Sequence, residues 1–499
     1  MASTACYLAF DLGASGGRAI LGRFDGARLR TEAVHRFANE PLRLPSGIHW
    51  NTPGLFEEVK RGMTACRAMG VEPEGLGLDT WGVDYGLIGT GGELLGLPHH
   101  YRDTRTIGKM DEAWVKVGKE RLYLRTGIQY MSLNTIYQLM ADRDASDGRL
   151  AHARTLLFTP DLLAYWLTGE ARTELSIAST SQLLDPGTGT WATDVASSLG
   201  LPTEILPRIE PCGTAVGALR REVAEETGLS GVTVVAPASH DTASAVAATP
   251  GEGDAWAYIS CGTWSLVGTE VGAPVRTREA MRAGFTNEGG LLEGRGRLRF
   301  HHNVAGLWLL QECQRTWRAR GGAWSHEDTV RAASGSEPLG ALIDPDDASF
   351  GGFGDMPTRV DAFVRRTGQP VIPDEAAMAR AIIESLALAY AATIEQAEAL
   401  TGRELRVVHM VGGGIRNALL CQCTADATGR EVVAGPAEAT AAGNILTQAM
   451  AFGRVRSAEQ IRAVVRQSFD LVTYRPRERS RWSEARARFA TLVARGRGG

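Results

Sequence analysis

Two stretches of this sequence, half a chain apart, have the same shape. Tyr7-Leu-Ala-Phe-Asp-Leu-Gly-Ala-Ser-Gly-Gly-Arg-Ala-Ile-Leu-Gly22 reads as strand, glycine-rich turn, strand, and the run from Ala257 to Val271 (AYISCGTWSLVGTEV) repeats it. Aligning Gly13 with Gly262 gives an offset of 249 residues in a chain of 499. Strand–glycine–strand hairpins are common. Their placement, however, predicts an internal duplication: two domains, 1–245 and 246–499, each opening on a phosphate-sized turn. The join falls at Ala248-Thr-Pro-Gly-Glu-Gly-Asp254, a run of turn formers.

Helical and strand patterns alternate through the rest of the chain, which indicates an α/β class with mixed sheets. Residues 374–401 predict one long helix, with Asp374 as N-cap and Gly402 beyond its C-terminus. Met378, Ile382, Leu386, Tyr390 and Ile394 form one apolar stripe along it. Leu405–Val411 reads as a strand, three glycines follow, and Asn417–Ala427 reads as a helix. Short strands are expected at Leu76–Leu78 and Val232–Ala236.

Composition removes several classes. Apolar residues at 44% and charged residues at 22% are ordinary for a globular protein. The 59 glycines exceed the usual ~7% without any collagen period, so they mark turns and close backbone approaches. Seven cysteines are too few and too irregular for a disulfide framework, and Cys421 and Cys423 lack a second pair at zinc spacing. No basic, apolar leader opens the chain, and no stretch approaches 18 uninterrupted apolar residues. A reducing cytoplasm and no membrane partner are expected. Net charge is −4, yet residues 471–499 carry eight arginines and two glutamates. Trp482, Ala485, Phe489, Leu492 and Val493 recur there at helical spacing, which predicts an amphipathic docking helix and no nucleic-acid partner.

Chemistry-bearing residues cluster at predicted strand ends. In the first hairpin, backbone N–H groups around Ala14–Arg18 have the glycine-rich spacing that cradles phosphate, with Asp11 as a metal candidate. Arg18 is either a phosphate contact or a solvated strand residue. Neither a Walker loop nor a Rossmann fingerprint is present there. Thr263 and Ser265 offer hydroxyls in the second hairpin, and Gly412–Gly414 lie between a strand and a helix N-terminus, where a ligand or simply a tight turn fits. Asp79-Thr-Trp-Gly-Val-Asp84 and Ser239-His-Asp-Thr242 follow short strands; Asp241 suits a general base toward a hydroxyl, and Asp and Thr there also suit turns and caps. The pairs His99–His100 and His301–His302 read as solvated or core-edge residues, because adjacent rings do not easily share one metal.

Taken together, these motifs resemble the FGGY carbohydrate kinases from about residue 7 to 475. The resemblance is carried by DLGASGGR (11–18), DTWGVD (79–84), GLPHHYRDTR (96–105), NTIYQL (134–139), TPDLLAYWLTG (159–169), SHDTASAV (239–246), CGTWSL (261–266), NEGG (287–290), NVAGLWLLQ (303–311), VGGGIRN (411–417) and AGPAEATAAGN (434–444). It implies two ribonuclease-H-like domains of the actin, sugar-kinase and heat-shock ATPase type flanking a cleft. It also implies ATP with Mg²⁺ and a small ketose as partners, and leaves monomer or dimer open. By that resemblance Gly13, Ala14, Ser15, Gly16, Gly17, Arg18 and Thr263 meet the ATP phosphates, and Gln311, Gly413 and Asn417 its adenosine end. Gly82, His240, Asp241, Thr242 and Asn303 meet the sugar, Asp241 is the proton acceptor, and Asp11 is the Mg²⁺-associated residue.

The implied reaction is ATP + L-rhamnulose → ADP + L-rhamnulose 1-phosphate. A kinase of L-fuculose, L-ribulose or D-xylulose and, more remotely, a non-catalytic actin-like scaffold or sugar sensor are the competing readings. Gly16 and Cys261 stand where serine is frequent in the family, which predicts one hydroxyl contact to phosphate fewer at each hairpin.

Overall fold

In the computed structural model, residues 4–291, 297–322, 324–352 and 354–497 are described. The first apolar run forms strand β1 (Ala5–Gly13), buried along nearly its whole length as expected for a central strand covered on both faces. It turns at Ala14-Ser15 into β2 (Gly16–Phe24), and β3 (Leu29–Ala38) follows antiparallel. Beside β1 lie β4 (Gly75–Thr80), β6 (Thr233–Ala236) and the edge strand β5 (Thr214–Ala218), in the order β5-β6-β4-β1-β2-β3. β1, β4 and β6 are parallel, whereas β5 runs antiparallel to β6.

The second hairpin is β7 (Trp256–Cys261) and β8 (Ser265–Val271). Parallel to β7 run β9 (Val407–Val411) and β10 (Glu431–Ala434), with β11 (Val472–Tyr474) antiparallel on β10. The order β8-β7-β9-β10-β11 thus repeats β2-β1-β4-β6-β5 strand for strand, with the same sequence of antiparallel and parallel pairs. The duplication read from two glycine turns extends to five strands of each sheet.

Contacts divide the chain into two compact units. One comprises Met1–Ala248, Glu270–Phe300 and Ala439–Ser468; the other comprises Thr249–Thr269, His301–Glu438 and Phe469–Gly499. In the first unit the helix Ala439–Ala451 lies against the helix Asp241–Ala247. Gly443 makes the crossing possible: a Cβ there would stand 1.8 Å from the Ser244 carbonyl oxygen. From the same helix Gln448 Nε2 donates to the Leu8 carbonyl at 3.1 Å, fastening it across β1.

In the second unit the long helix runs Glu375–Thr401, Asp374 accepting from Ala377 N–H and Gly402 closing it at φ 66°. It is buried well beyond the single stripe expected, with Ala379, Ile383, Ala387 and Leu388 enclosed as well. Its length and hydropathy would suit a membrane span, but 83% of its most apolar window is buried in protein. The C-terminal helix Arg479–Arg497 buries Trp482, Ala485 and Phe489. Arg481 and Arg488 on that helix are not simply solvated, because they donate to the carbonyls of Pro338, Leu339 and Gly340. Among the described residues all seven cysteines are free thiols, six of them buried.

Candidate active site

Parallel pairing sets the first group of candidate residues. Asp11 on β1 and Asp79 on β4 are register partners, and Arg18 stands opposite Asp11 on β2 and forms an ion pair with it. Thr80 N–H donates to Ser239 O at 2.9 Å, so the segment after β6 continues alongside β4 and delivers His240 and Asp241 to the same strand ends. Asp79 is fully buried; Asn444 Nδ2 donates to its Oδ2 at 2.6 Å, while Oδ1 has no hydrogen-bond partner. Burial, then the negative charges of Asp11 and Asp241, hold the Asp79 carboxyl well above the usual carboxylate range.

Asp241 opens the helix Asp241–Ala247 and keeps about a third of its side chain exposed. Thr242 N–H and Oγ1 donate to its Oδ1 at 2.5 and 3.1 Å, and His240 Nε2 lies 3.4 Å from the same oxygen. The loop itself is fixed from below by Glu174. This buried carboxylate accepts from Ser239 N–H at 2.9 Å and from Ser176 and Ile177 N–H, and Ser176 Oγ accepts from His240 N–H at 3.1 Å. Burial pushes Glu174 upward despite those donors.

The loop after β4 carries backbone strain. Val83 sits at φ 69°, a region β-branched residues avoid, and it is held there by Thr180 Oγ1 accepting from its N–H and Thr135 Oγ1 donating to its carbonyl. Beside it Gly82 is partly exposed, and a Cβ there would stand 2.9 Å from Thr180. Asp84 is the buried anchor: Trp50 and Trp81 Nε1 donate to its Oδ2 at 2.6 and 3.0 Å, and Gln138 to its Oδ1 at 2.8 Å. Burial outweighs these donors and raises its carboxyl to about 6. His100 is buried and stacks on Trp50 with ring centroids 4.1 Å apart.

The turn residues Gly13, Ala14, Gly16 and Arg18 are partly exposed and Ser15 is exposed, whereas Gly17 is buried under Phe37. Asn39 clamps this turn, its Nδ2 donating to Gly13 O and its N–H to Ser15 O. At Gly16 a Cβ would meet the Phe37 carbonyl at 2.9 Å, so a serine would crowd the ladder.

In the second unit Thr263 is partly exposed at the turn, its carbonyl accepting from Trp308 N–H. Asn303 is partly exposed, Gln311 is exposed on the helix Trp308–Ala319, and Gly413 is exposed with nothing within 4 Å of a Cβ position. Asn417 is buried and caps the helix Ala418–Thr428, accepting from Leu420 N–H. Cys261 does not face the turn: its side chain is buried against Gly414 and Tyr390, and Ser265 Oγ pairs with Tyr390 Oη at 2.7 Å. The expected loss of a phosphate hydroxyl at position 261 therefore does not apply. His301 is also fully buried, pairing with Tyr258 Oη, instead of lying at the core edge.

Sequence reading passed over Asn39, Glu174, Glu288, Arg299 and Asn444. Glu288 and Asn444 lie inside recognised motifs, which was the available signal. Arg299 and Glu174 carried none, because their contacts to the 239–241 loop come from 59 and 65 residues away. The oxygen donors of Asp11 and Asp79, one of them an orphaned buried oxygen, fit a hard divalent cation such as Mg²⁺, which takes one or two carboxylates and keeps its remaining positions for water and phosphate.

Residues 6–248 match the N-terminal domain, and residues 257–452 the C-terminal domain, of the FGGY family of carbohydrate kinases. The rhamnulokinase of Bacteroides thetaiotaomicron is 39% identical over 487 residues, covering 98% of this chain and 99% of that protein. That of Bacillus subtilis is 36% identical over 474 residues, covering 95% and 96%. Among solved structures, gluconate kinase from Lactobacillus acidophilus superposes with a TM-score of 0.80 at 15% identity, over 98% of each chain. Xylulose kinase from Rhodospirillum rubrum gives 0.78 at 17%, again over 98% of each. At these identities the structural likeness is one of fold: a two-domain sugar kinase with mixed α/β sheets.

Proposed function

The chain belongs to the FGGY family of carbohydrate kinases, and we propose that it transfers the γ-phosphoryl group of ATP to the C1 hydroxyl of L-rhamnulose. The observation that carries the substrate is near full-length similarity, at 35–39% identity, to curated proteins named rhamnulokinase. The chemistry rests on Asp241. Its Oδ1 is occupied by Thr242 and faced by His240, which leaves Oδ2 to take the proton from the attacking hydroxyl.

His240, Thr242, Gly82 and Asn303 are the sugar contacts in this reading. The turn Gly13–Arg18 and Thr263 contact the phosphates, with backbone N–H groups as donors and Arg18 as the local cation. Gly413 and Gln311 take the adenosine end, for which the open face of Gly413 leaves room, while Asn417, expected there too, is buried as a helix cap and supports the glycine run from beneath. Asp11, with Asp79 beside it, would hold Mg²⁺, which when bound neutralises charge on the phosphoryl oxygens. In this reading the half 1–245 supplies the base and most sugar contacts, and the half 246–499 supplies Asn303 and the adenosine end.

The deciding experiment measures ADP release with Mg-ATP across L-rhamnulose, L-fuculose, L-ribulose and D-xylulose. L-Rhamnulose is expected to show the highest kcat/KM, by at least about tenfold, or about 1.4 kcal/mol. The same margin for another ketose overturns the substrate, and no sugar-dependent turnover overturns the kinase reading.

A further inference from the structure

His240 stands between two charged systems of the first unit. On one side is Arg299, whose side chain is fully buried. Its Nη2 donates to Glu288 Oε2 at 2.9 Å and lies 3.1 Å from Nδ1 of His240, and its Nε donates to the Gly289 carbonyl at 2.8 Å, which fixes the guanidinium plane. Glu288 Oε2 is itself 3.1 Å from the same ring nitrogen. On the other side, Nε2 of His240 faces Asp241 Oδ1.

A guanidinium has N–H donors and no acceptor. A ring nitrogen facing it in hydrogen-bond geometry presents a lone pair, and a neutral imidazole then carries its one hydrogen on the other nitrogen. The hydrogen therefore sits on Nε2, toward Asp241. We propose that Arg299 and Glu288 are positioning residues for phosphoryl transfer: by keeping Nδ1 of His240 an acceptor, they turn its Nε2–H onto Oδ1 of Asp241 and leave Oδ2 for the sugar hydroxyl.

The proposal rests on Asp241 being the proton acceptor. Glu288 neutralises Arg299 and aims it. Without Arg299, Glu288 becomes the charged neighbour of Nδ1; a carboxylate only accepts, so the ring hydrogen moves to Nδ1. Nε2 then meets Asp241 lone pair to lone pair, and the carboxylate turns away from its working orientation.

The test is NMR of the ¹⁵N-histidine-labelled protein, with His240 assigned by its loss in His240→Gln, alongside steady-state kinetics. The wild-type ring should carry hydrogen on Nε2, and Arg299→Met should move it to Nδ1. In that variant kcat should fall at least about tenfold with KM for ATP within about twofold. Adding Glu288→Gln to Arg299→Met replaces the acceptor-only carboxylate with an amide that can donate to Nδ1 and should recover at least about threefold of the lost kcat, a rescue no merely structural role produces. Arg299→Lys, still a donor-only cation, should keep the Nε2–H ring and most of the rate. A wild-type ring with hydrogen on Nδ1 overturns the proposal, as does a folded double variant no faster than Arg299→Met. If Arg299→Met does not fold, the wild-type ring and Arg299→Lys decide. The tautomer is read without sugar or nucleotide. An Nε2–H ring in a protein without turnover therefore defeats the kinase reading, while turnover with an Nδ1–H ring defeats this proposal.

Discussion

The two hairpin corners share a strand plan and differ in charge. In the first, register places Asp11 beside Asp79, with Arg18 across the ladder and Asp241 following β6. In the second, the position equivalent to Asp11 is Ser260, its register partner on β9 is Val411, and the residue across the ladder from it, where the first corner has Arg18, is Leu266. Where one corner carries three acids and a cation, the other carries a buried Ser265–Tyr390 hydroxyl pair and a run of glycines. On the function proposed above, one strand plan would serve two tasks: carboxylates for handling a proton and a metal, and bare backbone for the approach of a flat, neutral group.

The sharpest way to break this contrast is to neutralise both corners. Asp241→Asn and Asp11→Asn should each lower kcat by on the order of 10²–10⁴-fold, while Asp241→Asn still binds ATP. Ser260→Ala should stay within about threefold of wild type by the same assay. Comparable losses at Ser260 would mean that the second corner also handles charge.

Next in size is a pH effect confined to the first corner. The folded value for Asp84, about 6, lies above its unfolded value, so the folded state binds the proton more tightly. Its stabilising contribution is fully present below about pH 4 and is lost as pH rises through 6. Urea unfolding of wild type against Asp84→Asn should show the wild-type advantage shrinking by on the order of 2–3 kcal/mol between pH 4 and pH 7. A difference independent of pH would remove Asp84 as the titrating group.

Steric tolerance should differ as well. A Cβ on Gly17 would stand 2.2 Å from the Phe37 ring, whereas one on Gly262 meets nothing nearer than 3.6 Å. Gly17→Ala should cost about 1–3 kcal/mol and Gly262→Ala under about 0.5 kcal/mol in thermal unfolding. Ser265→Ala should cost about 1 kcal/mol of stability, for one buried hydrogen bond, with kcat unchanged. A large kcat loss there would give that hydroxyl a part in phosphate binding.

Local signals in the sequence were enough for the hairpins, the capped helix Glu375–Thr401 and the docking face of the C-terminal helix, because turn, cap and periodicity are written within a few residues. The DTWGVD and SHDT segments also stood out, by the density of polar groups after an apolar strand. What holds them did not. Asn444 reaches Asp79 from 365 residues away, and Glu174 and Arg299 support the 239–241 loop from segments 65 and 59 residues off. A buried charge is legible only once its partner is known, and no periodicity names a partner. The extra burial of the long helix was hidden for the same reason, since alanines on its outer faces reveal nothing of what covers them.

The crossing at Gly443 has a consequence in time. The helix carrying Asp241 ends at Ala247, but the helix that packs on it and supports Asp79 is made only after residue 439. At about 5–20 residues per second, a ribosome needs on the order of 10–40 seconds to bridge that gap. For that interval the nascent first unit exposes the apolar seat awaiting its late-arriving helix. The acidic corner is thus among the last parts of the chain to be completed, and a ribosome that stalls before Gly443 releases a fragment bearing Asp241 without the helix that seats it.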